Sequence, residues 1–349
     1  DTAYDNVILS VVADADMEVR DSKGREIDAI TLRYDVRLWD EYIFMQGVPV
    51  EPRCYRNLRR VDPARMDMLF TGYAIERLER KCGDIKIILD ETRNDWEDCF
   101  YRMLVRYWSG NVNAEAFAQL ARDLSYKKVI RCSDNLFRVE ALLLGYSGLL
   151  TGLEQEDDYT IALREEYEYQ AAKFHLTAME RARWKYMRIR PTSFPTVRLA
   201  LLASLMMRFN FLLSAVLEAE HLPEVYKLLD VQASDYWDTR YKPGVPAARQ
   251  VKRLGNSMKT VIVINAIIPF LFIYGRERKE ERYCDKAIQW LEELEAERNH
   301  VTEAWTKQGV ELKSALQSQA LLQIKREYCD AHRCLHCKIG GEVFRSVVK

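Results

Sequence analysis

Near the C-terminus the stretch YCDAHRCLHCKIG, Tyr328 to Gly340, brings three thiols and two imidazoles within nine residues, Cys329 to Cys337. Cys334 and Cys337 have the two-residue spacing that lets neighbouring thiolates grip one ion, with Zn–S near roughly 2.3 Å. Three cysteines leave a closed thiolate site one ligand short. His332, His336 or a distant cysteine is open as the fourth ligand. The competing readings are coincidence and a redox pair at Cys334 and Cys337.

A second stretch, RARWKYMRIRPTSFPTVR, carries Arg181, Arg183, Lys185, Arg188, Arg190 and Arg198 with no acid among them. Arginine forks suit phosphates, and the interleaved Trp184, Tyr186 and Phe194 offer faces for stacking on bases or on guanidinium groups. Pro191 and Pro195 break the local helix, so the segment turns and a new helix starts at about Thr196. A helix N-terminus beside arginines is an anion site. Lys185, Arg188, Arg190 and Arg198 are therefore the candidate nucleic-acid contacts. The bland alternative is that they pair with acids elsewhere, of which the chain has 53.

Other chemistry is missing. The sequence contains no phosphate loop, no zinc-protease His-Glu helix, no dinucleotide glycine fingerprint and no nucleophile elbow; GYSG, Gly145 to Gly148, has the wrong spacing for the last. Glu140 and Glu76 sit beside apolar helix faces, where a raised pKa would suit acid or base work. The ordinary reading is a surface or ion-paired glutamate. No residue is assigned a catalytic role.

The elements that position these groups change character along the chain. NVILSVVA, Asn6 to Ala13, is a short apolar run, and MEVRDSKGREIDAITL follows with a turn at Ser22, Lys23 and Gly24 between two strand-like pieces. Residues 1–60 read as the truncated end of an α/β unit, strands plus a connecting helix, since so few strands make no independent sheet. From Asp62 the period is helical: Asp62 caps and Pro63 opens a helix that Gly83 stops, and Asn94 with Glu97 caps the next. Residues 61–349 then read as one irregular α-helical domain, with further helices at Asn113–Leu124, Asp134–Leu144, Tyr159–Phe174, Leu199–Leu217, Cys284–Leu294 and Ser314–Tyr328. The fold class is mostly α.

Composition narrows the partners. Lys plus Arg number 52 and Asp plus Glu 53, so nucleic acid or an anionic membrane must be engaged by a local patch or not at all. The most apolar run, Val261 to Tyr274, holds Asn265 and Pro269 in 14 residues, which reads as a buried helix and no membrane contact. Eight dispersed cysteines favour a reducing, cytoplasmic setting.

Six blocks, AYDNVILSVV, AIERLERK, VEALLLGYSGLL, WKYMRIRPTSFPTVRLA, INAIIPFLFIYG and SQALLQIKREYCDAHRCLHCKIG, together resemble, in order, a bacterial family known as domain of unknown function 2851. Members carry a cysteine in a short Ile-Pro-Cys context ahead of the Glu-Arg-Leu-Glu helix. EPRCYRN is similar to it, and so the resemblance implies Cys54 as the missing fourth ligand. It also implies an upstream Gly-Pro-Asp-Phe element and a Glu-containing strand ending in Lys, ahead of Asp1. That arrangement is similar to PD-(D/E)XK nucleases, whose carboxylates hold magnesium or manganese. Ser10 stands where the family tends to have His, which puts any role of that imidazole in doubt.

The expectation is a DNA-binding or DNA-processing protein, in which Cys54, Cys329, Cys334 and Cys337 hold a structural zinc ion or iron–sulfur cluster. Magnesium or manganese would belong to the upstream part alone, so this chain by itself should be inactive as a nuclease. The alternative is a non-enzymatic helical scaffold that binds an acidic protein partner.

Overall fold

The computed structural model describes Thr2 and residues 5–49, 51–208 and 211–348. Ala3 and Tyr4, part of the first family block, lie outside these. The chain is mostly α-helical, 61% helix against 6% strand. Three strands, β1 (Leu9–Val12), β2 (Val19–Arg20) and β3 (Glu26–Thr31), lead into α1 (Val36–Gly47), α2 (Tyr55–Leu58), α3 (Pro63–Glu91), α4 (Trp96–Tyr107) and α5 (Ala114–Asp123). Then come α6 (Tyr126–Ile130), α7 (Leu136–Tyr146), α8 (Asp158–Phe174), α9 (Pro195–Arg208), α10 (Leu212–Glu218) and α11 (Leu222–Leu228). A ribbon of β4 (Arg240–Lys242) and β5 (Val245–Pro246) precedes α12 (Asn256–Ile262), α13 (Ile268–Arg278), α14 (Glu281–Glu293), α15 (His300–Lys307), α16 (Ala315–Ile324) and α17 (Lys338–Val348).

The chain divides into two compact units. Unit 1 comprises Asp1–Tyr73, Arg298–Leu312 and Ala320–Lys349, and unit 2 comprises Ala74–Glu297 and Lys313–Gln319. Both units are therefore discontinuous in sequence, and the C-terminal residues belong with the N-terminal ones.

In unit 1 the strands form one sheet in the order β1-β3-β2. β1 runs parallel to β3, with Leu9 opposite Asp28 and Val12 opposite Thr31, while β2 is antiparallel to β3. The expected turn is present: Gly24 takes φ +77°, a region glycine enters without a Cβ penalty, and its amide donates to Asp21 O. Ile27 is the one strand residue buried; Ile8, Val11, Ile30 and Leu32 are exposed, as is Trp39 on α1. The core of unit 1 lies away from the sheet, where Met45, Leu58, Phe70, Trp305, Ile324, Ile339 and Val343 are buried. Phe70 and Trp305 meet edge to face at 6.4 Å between centroids.

Unit 2 is built on helices whose apolar faces repeat at three and four. In α4 these are Cys99, Phe100, Met103 and Leu104, all buried. Phe100 packs edge to face on Phe270 of α13 at 4.9 Å. Helices α7, α8 and α9 pack together, as do α13 and α14. The segment expected as a buried helix is the middle of a helical stretch of 23 residues, Asn256–Arg278, long and apolar enough to cross a bilayer, of whose most apolar window 72% is buried within the protein. It includes a π-helical turn at Val263–Ile267, just ahead of Pro269, whose missing N–H disturbs the regular ladder there.

Three local expectations change. Gly83 does not stop α3, because Ile85 and Leu89 continue the buried face and outweigh roughly 1 kcal/mol of glycine cost. The helix ends instead at Glu91, and the turn after it takes Arg93 and Asn94 into the left-handed region at φ 54° and 60°. The cap of α4 is Asp95, whose carboxylate accepts from the Asp98 amide, so Asn94 has the stop role and not the start. The single helix expected at Leu199–Leu217 is two, α9 and α10, and α9 begins four residues earlier, with Pro195 at the first position where its missing N–H costs nothing.

Candidate metal centre and anion-binding segment

Unit 1 brings together all four cysteines singled out in the sequence. Cys54, Cys329, Cys334 and Cys337 line one cavity with about 20 Å³ of room for a water-sized sphere, alongside Arg53 and Gly340. Cys54 starts the short helix α2. Cys329 ends a π-helical turn, Lys325–Cys329, that widens the last turn of α16 and re-aims it. Cys334 and Cys337 follow in a tight turn closed by the Cys337 amide donating to Arg333 O at 3.1 Å. Gly340 is required: a Cβ there would stand 2.4 Å from Cys334 O.

The thiols converge without closing a coordination shell. Among the described residues, no group of three or more His, Cys, Asp or Glu side chains could hold an ion as it stands. Their mutual influence is nonetheless direct. Burial, then the thiols of Cys337, Cys329 and Cys334, hold Cys54 well above the ordinary thiol range. Cys329 is pushed up to about 12 by burial first, and by Cys337, Glu51 and Cys334 after it, against Lys325. Cys334 is raised by burial and Cys337 and eased downward by Arg53.

Met45, Trp305, Ile324 and Tyr328 complete the lining, Arg53 is its one cationic member, and the other polar groups lie just beyond it. Arg53 Nη1 donates to Val48 O at 2.8 Å, and Nη2 contacts His332 Nε2 at 2.8 Å. A guanidinium only donates, so that ring nitrogen accepts and is engaged. His332 and His336 are both exposed, and neither lines the cavity. Lys325 Nζ bridges Glu51 and Asp330, each at 2.7 Å. Tyr73 contacts Cys337 Sγ through its hydroxyl at 3.4 Å, and that oxygen accepts from the Lys338 amide at 2.6 Å. Sequence reasoning missed Tyr73, Arg53, Lys325 and Gly340. Of these, Gly340 alone carried a signal, a glycine three residues past the second cysteine of the pair.

The basic segment lies in unit 2. Arg183, Lys185, Arg188 and Arg190 are exposed, and none has an acidic partner among the described residues. The backbone is fixed by Asn113, whose amide donates to Lys185 O at 2.9 Å while its carbonyl accepts from Lys185 N at 2.8 Å. Arg188 takes φ +61°.

Two expectations for this segment are corrected. The aromatic rings are no stacking platform: Trp184 is buried against Phe117 with its Nε1 donating to Ser147 O, and Tyr186 and Phe194 pack edge to face on each other at 4.9 Å. Arg198 is not on the surface with the other three cations. It is 6% exposed, its Nη2 donates to Ser193 Oγ at 3.1 Å, and its Nε has no partner. Burial pulls the guanidinium down to about 10.

Glu140 is fully buried rather than surface-exposed or ion-paired. Its carboxylate accepts from Tyr159 Oη at 2.6 Å, Ser234 Oγ at 2.8 Å and Trp237 Nε1 at 3.3 Å, and burial raises its pKa against those bonds. With three donors satisfied it pins α7 to its neighbours. Glu76 is half-buried.

No curated protein and no solved structure matches this chain. The model of one family, described as protein of unknown function (DUF2851), matches residues 1–300, a span that includes Cys54 and the basic segment and stops short of Cys329. On that match, the chain belongs to the DUF2851 family.

Proposed function

We propose that this chain binds duplex DNA through the exposed cations Lys185, Arg188 and Arg190, and that a zinc ion held by Cys54, Cys329, Cys334 and Cys337 fastens its C-terminal segment to its N-terminal one. The observation that carries the metal half is the convergence of four thiols, from segments some 279 residues apart at Arg53 and His332, on one cavity. Four thiolates fill a tetrahedral shell and leave no position for water or substrate, so the ion is structural. The donor set suits zinc or iron–sulfur and suits magnesium poorly. Room for one water-sized sphere, about 20 Å³, favours a single ion over a cluster. Staggered rotamers about χ1 are the motion that would draw the sulfurs in. Arg53 and Lys325 offset part of the negative charge such a centre carries.

The DNA half rests on cations without acidic partners, where a solvated charge run is expected to be laced with them. Phosphate contacts of that kind release counterions, so affinity should fall with salt. With Lys185, Arg188 and Arg190 each on a phosphate, log affinity for a duplex should fall against log salt at a slope of about −2.7. Arg188→Glu with Arg190→Glu should weaken binding about equally across sequences. A salt-independent affinity, or an unchanged double variant, would move the segment to an acidic protein partner.

A nuclease-like part is a second reading favoured by one observation. β1 and β3 run parallel with Val11, Ile30 and Leu32 exposed, whereas parallel strands in α/β units are covered on both faces. The hydrolytic residues would then lie outside this chain, and nothing in units 1 or 2 is given a catalytic part. We place the protein in the cytoplasm, where thiols stay reduced and available to a metal.

A further inference from the structure

We propose that the N-terminal end of α9 is a discrete phosphate-binding site, in which the Arg198 guanidinium, the Ser193 hydroxyl and the amides of Thr196 and Val197 take one phosphate group. The proposal deepens the DNA reading but does not require it, because a free phosphate or a small phosphorylated molecule has the same chemistry.

Three observations carry it. The first is an orphaned buried charge. Arg198 is 6% exposed, no carboxylate pairs with it among the described residues, and its Nε has no acceptor. A guanidinium removed from water without an anion is costly, and such groups in folded proteins are paired. The second is where it points. Side chains in a helix lean toward its N-terminus, and the bond from Nη2 to Ser193 Oγ places the fork at the residue two positions before Pro195.

The third is the state of the helix end itself. α9 has 14 residues and no acid in its first turn. Pro195 has no N–H to offer, and the Arg198 amide is taken by Phe194 O. The amides of Thr196 and Val197 have no acceptor among the described residues, and the Thr196 hydroxyl is turned away, donating to Tyr241 O at 2.5 Å. Two unfilled amides, a planar fork with Nε and one Nη free of acceptors, and a hydroxyl that already accepts and still has a proton to give match the oxygens of a phosphate. Arg190 and Arg188, exposed just upstream, add attraction from outside.

The test uses the full chain and inorganic phosphate, compared with chloride at equal ionic strength. Phosphate at ten times its Kd should raise the melting temperature by about 3–6 °C, saturably. Arg188→Glu with Arg190→Glu, which removes that outer attraction, should weaken phosphate binding yet leave the rise saturable at higher phosphate. Arg198→Met should lose it, yet melt in chloride no lower than the wild type, since it removes an uncompensated buried charge; a purely structural arginine would lose stability in both salts. Should Arg198→Met fail to fold, Arg198→Lys keeps the charge without the fork and should bind phosphate at least tenfold more weakly. No rise beyond that in chloride, or the same rise in the Arg198 variants, overturns the site. A duplex titration separates the sources: DNA affinity that falls in Arg198→Met assigns the site to a nucleic-acid phosphate, and unchanged DNA affinity with an intact phosphate response assigns it to a free phosphorylated ligand.

Discussion

Replacing Cys54 by Ser is the sharpest perturbation of the proposed metal centre, because Cys54 is the one ligand from the N-terminal segment. Without a metal, a buried thiol becomes a buried hydroxyl, which costs on the order of 1–3 kcal/mol. With a metal, the variant also opens a cross-link. Arg53 and His332, which flank the ligands, are 279 residues apart. Closing a loop of about 280 residues in the unfolded chain corresponds to about 5–6 kcal/mol in the chain-entropy relation for cross-links. Spread over unit 1, that is a fall in melting temperature of more than about 10 °C. The assay is elemental analysis of anaerobically purified protein, with visible absorbance for iron, followed by melting with and without a chelator. Wild type should carry one equivalent of zinc and lose stability to the chelator. The Cys54→Ser protein should carry little zinc and melt at one temperature in both conditions, while His332→Ala with His336→Ala keeps its zinc. Less than half an equivalent of zinc or iron in the wild type, or a full equivalent in Cys54→Ser, would refute the four-cysteine shell.

Two other expectations concern groups outside these sites. Lys81 is 8% exposed, donates to Asn265 Oδ1 at 3.1 Å, and is pulled down to about 7 by burial first and by Arg77 next. Its folded pKa lies below its unfolded one, so between about pH 7 and 10 the unfolded chain binds more protons and stability rises with pH, by up to about 1.4 kcal/mol per unit. Lys81→Met should be more stable at pH 7 and lose most of the gain in urea midpoint from pH 7 to 9; an identical gain in both proteins would show that another group titrates. This chain with magnesium or manganese should cleave neither single- nor double-stranded DNA or RNA, and robust cleavage would mean that hydrolytic residues lie within it.

The helical class was legible because amphipathic period and caps are local. The cysteine pair was legible for the same reason, since two residues of spacing are enough to suggest a shared ion. Cys54 was not: nothing in EPRCYRN points to Cys329, and a resemblance supplied the link. Arg53, Lys325 and Tyr73 meet the cysteines through tertiary packing, which no short window contains. Arg198 is more instructive, because the sequence around it does signal burial. In PTVRLALLASLMMR the residues around it are apolar on every side, and a helix apolar all round is buried. The charge run and the helix pattern point opposite ways at Arg198, and the helix pattern prevails. Glu140, within RVEALLLGY, carries the same signal, and at Gly83 the apolar face runs on through Ile85 and Leu89.

Arg198 is a buried charge without a counter-ion, whereas burial favours the neutral form of the Cys54, Cys329 and Cys334 thiols, which an ion must deprotonate to bind; they lie in different compact units, Arg198 in unit 2 and the cysteines in unit 1. A ligand that binds only the folded form stabilises it by mass action, whether it is a cation among thiols or an anion beside a guanidinium. The two stabilisations need not share side chains, and effects at sites without common partners add. Chelator response should therefore follow Cys54 and ignore Arg198, and phosphate response should follow Arg198 and ignore Cys54. That crossed pattern separates ligand binding from general loss of fold, because a variant that merely weakened the protein would depress both responses together. If Cys54→Ser abolished the phosphate response while the circular dichroism of the helices stayed unchanged, the two sites would be coupled and their effects would not add.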